Sequence, residues 1–193
     1  MKNIKIYFLK NIKSLVIIAI SIFSFFVLFK DNDELLDKLN NNKELIEKYN
    51  EFKKTGVSKS IIFPKIIIEN VIDTALSYIG TPNRIGGINK DGIDASALVY
   101  ISIKKNSEIE FPRIAQEMAR NGEVIYNPKK LRRADLVFFF DTYEVNRIIT
   151  SVGIYLGDGN FIHSSSSKGV TVSDINDPYY WKDKFFYGTR IFK

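Results

Sequence analysis

Residues 151–163 read SVGIYLGDGNFIH, and this stretch decides the fold. Two short runs of strand-forming residues flank Gly157-Asp158-Gly159, a triplet suited to a tight hairpin. Further strands are expected on either side. Residues 135–140 (DLVFFF) precede the hairpin, and residues 170–173 and 185–192 follow it. Phe138, Phe139 and Tyr155 lie on these strands and are read as packing residues.

Upstream the pattern turns helical. Residues 65–79 (KIIIENVIDTALSYI) space Ile68, Val71, Ile72, Ala75 and Leu76 at three and four, and Gly80 and Pro82 are stop signals. Residues 95–105 read as a second helix, with Asp94 as its N-cap. A loop containing Gly86, Gly87 and Gly92 lies between them. Helices first and strands afterwards is an α+β order, with the helices packed on an antiparallel sheet.

The N-terminal part has a different character. Residues 14–29 carry no charge and are nearly all Ile, Leu, Val and Phe. Lys2, Lys5, Lys10 and Lys13 precede them and Lys30 follows. As a helix this run spans roughly 24 Å. That is slightly short of a hydrocarbon core of about 30 Å, and snorkelling lysines extend it. Residues 1–30 are therefore expected to be an uncleaved transmembrane anchor in the inner (cytoplasmic) membrane. The flanking lysines place the N-terminus in the cytoplasm and the rest outside. A cleaved signal sequence, and hence a secreted protein, is the alternative. Its small-residue candidate, Ala19-Ile20-Ser21, falls inside the apolar run. Residues 31–60 read as a helical stalk and linker, with Leu35, Leu39, Ile46, Tyr49 and Phe52 near one side. Residues 61–193 are then the folded domain.

Composition excludes several functions. The chain has 193 residues, 45% hydrophobic and 26% charged, a globular rather than a disordered balance. It has no cysteine and one histidine. That removes disulfides, thiolate metal sites and a cysteine nucleophile. One histidine with scattered carboxylates is not a metal-ligand set. The glycines are not spaced as a phosphate loop, so no cofactor is expected. The net charge is +6, but the body of the chain is close to neutral. A nucleic-acid partner is therefore not expected.

The order of motifs resembles the NlpC/P-sixty family of bacterial cell-wall cysteine peptidases, which have a papain-like fold. A Gly-Thr-Pro-Tyr of that family appears as Gly80-Thr81-Pro82-Asn83, and its Trp-Gly-Gly as Ile85-Gly86-Gly87. Its Asp-Cys-Ser-Gly appears as Asp94-Ala95-Ser96-Ala97. Its Leu-Pro-Arg with a downstream Gln appears as Phe111-Pro112-Arg113 and Gln116. Its Gly-Asp-Leu-Val-Phe-Phe strand begins here with Ala134, followed by Asp135. Its His-Val-Gly-Ile-Tyr-Leu-Gly strand begins with Ser151, and Phe161-Ile162-His163 is intact. Tyr180-Trp181 and Gly188-Thr189-Arg190 resemble the family's ending.

The resemblance implies a catalytic triad, and this chain departs from it. Ala95 stands where the resemblance implies the nucleophilic Cys, Ser151 where it implies the His base, and His163 remains at the third position. A methyl group cannot attack a carbonyl, and an unperturbed hydroxyl is not a base near neutral pH. The expectation is that the chain is not an enzyme. It reads as a membrane-tethered pseudoenzyme that binds a peptidoglycan peptide or a cell-wall hydrolase. Two alternatives stand beside it. One is an active peptidoglycan amide hydrolase with a serine nucleophile near His163, with Ser164, Ser165, Ser166 and Ser167 as neighbours in sequence. The other is a structural envelope protein. Candidate ligand-groove residues are Asn83, Ile85, Asp94, Ser96, Arg113 and His163. Ser96 is rotated by about 100° from Ala95 on a helix, away from the expected cleft. Asp135 is expected to anchor the start of a strand.

Overall fold

The fold is organised around the strands that flank Gly157-Asp158-Gly159, which are buried on both faces. A computed structural model describes residues 33, 35–40, 42–54 and 61–193. It divides into two compact units, residues 1–41 and 42–193. In the first unit the described residues are helical, and Leu35 and Leu39 are buried. The expected anchor at residues 14–29 lies outside the described residues. Among the described residues no helix is long and apolar enough to cross a membrane.

The second unit begins with helix α1 (Lys43–Lys54). The expected stalk is corrected here. Tyr49 and Phe52 of α1 are buried, and both rings pack edge-on against Phe186, at 5.8 and 6.1 Å between centroids. The Arg120 guanidinium lies 4.1 Å from the Phe52 ring centroid and donates to the Phe52 carbonyl. Tyr49 and Phe52, expected on a stalk, instead anchor α1 to the rest of this unit.

A short 3-10 turn (Lys65–Ile67) leads into α2 (Ile68–Leu76), which buries Val71, Ile72 and Ala75 as its spacing predicts. The helix ends three residues earlier than read from sequence. Gly80, at φ +83°, turns the chain so that its N–H donates to the Val170 carbonyl. A small hairpin, β1 (Ile88–Asn89) and β2 (Gly92–Ile93), leads into α3 (Ala95–Lys104). A one-turn helix α4 (Ala115–Met118) and strand β3 (Glu123–Ile125) follow. These short elements carry no periodicity and were not expected.

The remaining strands are β4 (Leu136–Phe139), β5 (Ser151–Gly157), β6 (Asn160–Ser165), β7 (Gly169–Asp174) and β8 (Phe185–Arg190). A single turn, α5 (Trp181–Lys184), precedes β8. The six-stranded sheet runs β3-β8-β4-β5-β6-β7 and is antiparallel throughout. Consecutive strands β4 to β7 form a meander, and β8 returns to pair with β4. At the hairpin, Asp158 takes φ +51° between two glycines that are also left-handed.

Asp135 sits at the entry to β4 as expected. It is nearly fully buried and receives a two-pronged contact from Arg190 of β8, at 3.0 and 2.8 Å. Burial pushes its carboxyl pKa up, and Arg190 opposes that only in part. Ala134 beside it is buried at φ +70°, a conformation that glycine adopts without steric cost. Phe138 and Phe139 are fully buried and Tyr155 nearly so, confirming their packing role.

Candidate functional site

The N-terminus of α3 is built around one carboxylate. Asp94 is extended, at φ −87° and ψ 168°, and its Oδ1 accepts from the Ala97 N–H at 2.7 Å. This is the N-cap read from sequence. Arg113 reaches back from the loop after α3 and donates to both carboxylate oxygens, at 3.1 and 2.8 Å. It also donates to the Ser96 hydroxyl at 2.7 Å, and that hydroxyl donates to Asp94 Oδ1 at 2.9 Å. The Gly86 N–H closes the set on Oδ2 at 2.9 Å. Burial acts to raise the Asp94 pKa, but Arg113, the Ala97 N–H and Ser96 outweigh it and hold it below the usual value.

Three expected groove residues, Asp94, Ser96 and Arg113, therefore meet. They meet as a closed network in which each satisfies the others. Ala95 is the first residue of α3, half-buried, with a methyl side chain. The main-chain N–H groups of Ala95 and Ser96 have no partner among the described residues. Such donors are the ordinary orphans of a helix start. Ile85, next to Gly86, is 90% exposed. Asn83 is held differently: its amide donates to Ser164 Oγ at 2.8 Å, and Ser164 Oγ donates to the Ile93 carbonyl at 2.7 Å. That pair ties β6 to the residue just before Asp94.

His163 lies in the middle of β6 and is 1% exposed. Its ring stacks on Phe161 at 4.9 Å and meets Trp181 edge-on at 4.6 Å. Burial pushes its pKa down to about 4, opposed only in part by the Ser164 main chain. The imidazole is thus neutral near pH 7. Nε2 lies 2.9 Å from Ser173 Oγ on β7, and Nδ1 is buried with no hydrogen-bond partner among the described residues. Ser151, the first residue of β5, is buried. The pairing of Ile154 with Ile162 sets Gly153 opposite His163, which puts Ser151 on the same sheet face as His163.

Of the serines that follow His163, Ser164, Ser165 and Ser167 make other contacts. Ser164 is turned to Ile93, and Ser165 and Ser167 bond each other at 3.2 Å. Ser173 is the hydroxyl that meets the imidazole, and sequence reading missed it. The contact follows from the strand register: Ser165 pairs with Gly169, so His163 faces Thr171 and has Ser173 as its diagonal neighbour.

The family model described as NlpC/P60 family matches residues 80–190. The chain belongs to the NlpC/P60 family. Among curated NlpC/P60 relatives, the "Probable endopeptidase NlpC homolog" of Haemophilus influenzae is 31% identical, over 86% of this chain and 84% of that protein. The "Murein DD-endopeptidase MepS/Murein LD-carboxypeptidase" of Escherichia coli K12 is 33% identical over 63% of this chain, and the match spans 61% of its length. Among solved structures, an NLP/P60 family protein from Staphylococcus aureus has a TM-score of 0.59 at 27% identity, covering 70% of this chain and 45% of that one. RipD of Mycobacterium tuberculosis is described as a non-catalytic NlpC/p60 domain protein with an adaptation to peptidoglycan-binding function. It has a TM-score of 0.50 at 26% identity, covering 65% of this chain and 97% of that one.

The curated names correct the expectation that the chain is not an enzyme. That expectation rested on Ala95 and Ser151. The relatives matching most of this domain are named as endopeptidases, so family membership argues for hydrolysis. The two substitutions do not by themselves show that activity is lost.

Proposed function

We propose that this domain recognises the peptide moiety of peptidoglycan at the N-terminus of α3. The observation that carries the reading is the frame around Ala95. Asp94, Arg113, Ser96 and Gly86 lock the start of the helix and leave the Ala95 and Ser96 N–H groups without a partner among the described residues. Fixed donors of this kind suit the carbonyl oxygen of an extended peptide. Two family relatives are named for action on murein or binding to peptidoglycan, the same polymer.

The test is retention of the full chain on purified cell-wall sacculi, together with titration of a soluble stem peptide. Native protein is expected to bind both, and Ala95→Trp, which puts a bulky ring at the helix start, to lose both. Absence of binding by the native protein, or undiminished binding by the Trp variant, would overturn the reading. The same reading carries an extracytoplasmic location, tethered by residues 14–29. External protease digesting the domain in intact spheroplasts is the expected result, and full protection would count against it.

A second reading is amide hydrolysis, which the contact between Ser173 and His163 favours. A neutral imidazole with its proton on Nδ1 has Nε2 free to accept the Ser173 proton. The Ser173 oxygen then bonds to the substrate carbonyl carbon. The amide C–N bond breaks as the imidazolium returns the proton to the departing amine, and water cleaves the resulting ester with the same base. Release of soluble fragments from sacculi by the native protein, abolished by Ser173→Ala with retention unchanged, is the result this reading requires. No release by the native protein removes it.

A further inference from the structure

Three tyrosines on two surface loops stand outside the site at the start of α3. Tyr143 is 50% exposed, Tyr179 94% and Tyr180 39%. The loops that carry them are tied together by the Tyr180 hydroxyl, which donates to the Thr142 carbonyl at 3.3 Å. Each of the three therefore lies within one residue of a single hydrogen bond. Monomeric surfaces leave isolated aromatic residues exposed as a matter of course, but a cluster from two separate loops marks a contact surface.

We infer that this tyrosine cluster binds the sugar rings of a glycan strand, the carbohydrate part of the polymer whose peptide the preceding section assigns to α3. The inference rests on that reading for its choice of polymer. The chemistry of the surface selects the sugar. Tyrosine presents a flat apolar face and a polar rim. A pyranose presents a flat C–H face and a rim of hydroxyls, so the two match in both respects. A lipid surface or an acidic partner would call for unpaired cations. Here Lys184 pairs with Asp141 at 2.9 Å and lies over the Tyr180 ring at 5.2 Å. This internal neutralisation fits an uncharged ligand.

The position also fits. Thr142 donates its N–H to Thr150 Oγ1 at 3.0 Å, and the two hydroxyls meet at 2.7 Å. Thr150 immediately precedes Ser151. On the other side, Tyr180 packs edge-on against Trp181 at 4.8 Å, and Trp181 against His163 at 4.6 Å. The cluster is thus linked through Thr142 to Ser151's neighbour Thr150 and through Trp181 to His163.

The test titrates the full chain in detergent with two probes, an N-acetylglucosamine hexamer and a soluble stem peptide. Tyr143→Ala and Tyr179→Ala are combined in one variant. Both side chains are largely exposed, so the fold is expected to stand, checked by an unchanged urea midpoint. The expected result is hexamer binding by the native protein, weakened about tenfold or more in the variant, with peptide binding unchanged. Two aromatic contacts of ordinary strength account for a change of that size. If the native protein does not bind the hexamer, or the variant binds it equally well, the inference falls. Peptide binding without hexamer binding overturns the glycan site and leaves recognition at α3 standing. Hexamer binding that depends on the tyrosines, without peptide binding, does the reverse.

Discussion

His163 shows what burial does to a single residue. Its folded pKa of about 4 lies below the ordinary histidine value, so the unfolded chain binds a proton that the folded one refuses. The contribution is fully present above about pH 6.5 and is lost as pH falls from there toward about 4. The loss amounts to about 3 kcal/mol at most. Urea unfolding at pH 7 and pH 5 is expected to show a lower midpoint at pH 5, with His163→Gln flattening most of that difference. Asp94 gives a second expectation. It combines a helix cap with a half-buried ion pair, so Asp94→Ala is expected to cost about 2–3 kcal/mol in urea unfolding. Of these roles, only the cap was legible in the sequence. A cap is a local relation, whereas Arg113 lies far along the chain and meets Asp94 only because the loop after α3 folds back. Ser173 was hidden for a related reason: its meeting with His163 depends on strand register.

At the scale of elements, α1 and the β5–β6 pair carry the clearest consequences. Periodicity located the apolar stripe of α1, but a stripe on a helix does not say what covers it. Phe52 packs on Phe186 and under Arg120. Phe52→Ala is expected to destabilise the domain by about 3 kcal/mol, read as a shift in the urea midpoint. Gly153 shows why β5 needs a residue without a side chain. A Cβ there would lie 2.6 Å from Phe161 Cδ2 and 2.8 Å from the Ile162 carbonyl oxygen. The carbonyl belongs to a paired strand and cannot withdraw. Gly153→Ala is expected to cost about 2 kcal/mol, with His163 displaced together with Phe161. Nuclear magnetic resonance shifts of the His163 ring would report that displacement. The strand content was legible because short runs of strand-forming residues and the Gly-Asp-Gly turn are local. Strand β3 was missed because a three-residue strand has too little pattern to read.

At the scale of the whole molecule, the question is whether the scaffold still presents the family's geometry. The double variant Ala95→Cys with Ser151→His tests it. The native chain contains no cysteine, so any release of sacculus fragments by the native protein must be insensitive to iodoacetamide. The double variant is expected to add release that iodoacetamide abolishes. Its absence, in a variant shown to fold, would mean that α3 and β5 are not set for the reaction.

By itself the sequence determined the α+β class, the hairpin, the Asp94 cap, the Asp135 strand entry and the family. Each of these is written in short-range spacing or in an ordered run of motifs. It also determined which chemical groups are missing, since a side chain that is absent cannot be supplied by folding. Only the tertiary structure decided that α1 belongs to the domain, that Arg113 closes on Asp94, and that His163 meets Ser173 inside an aromatic enclosure. Those contacts join residues far apart in the chain or set by strand register. Their partners become known only once the strands pair and the loops return.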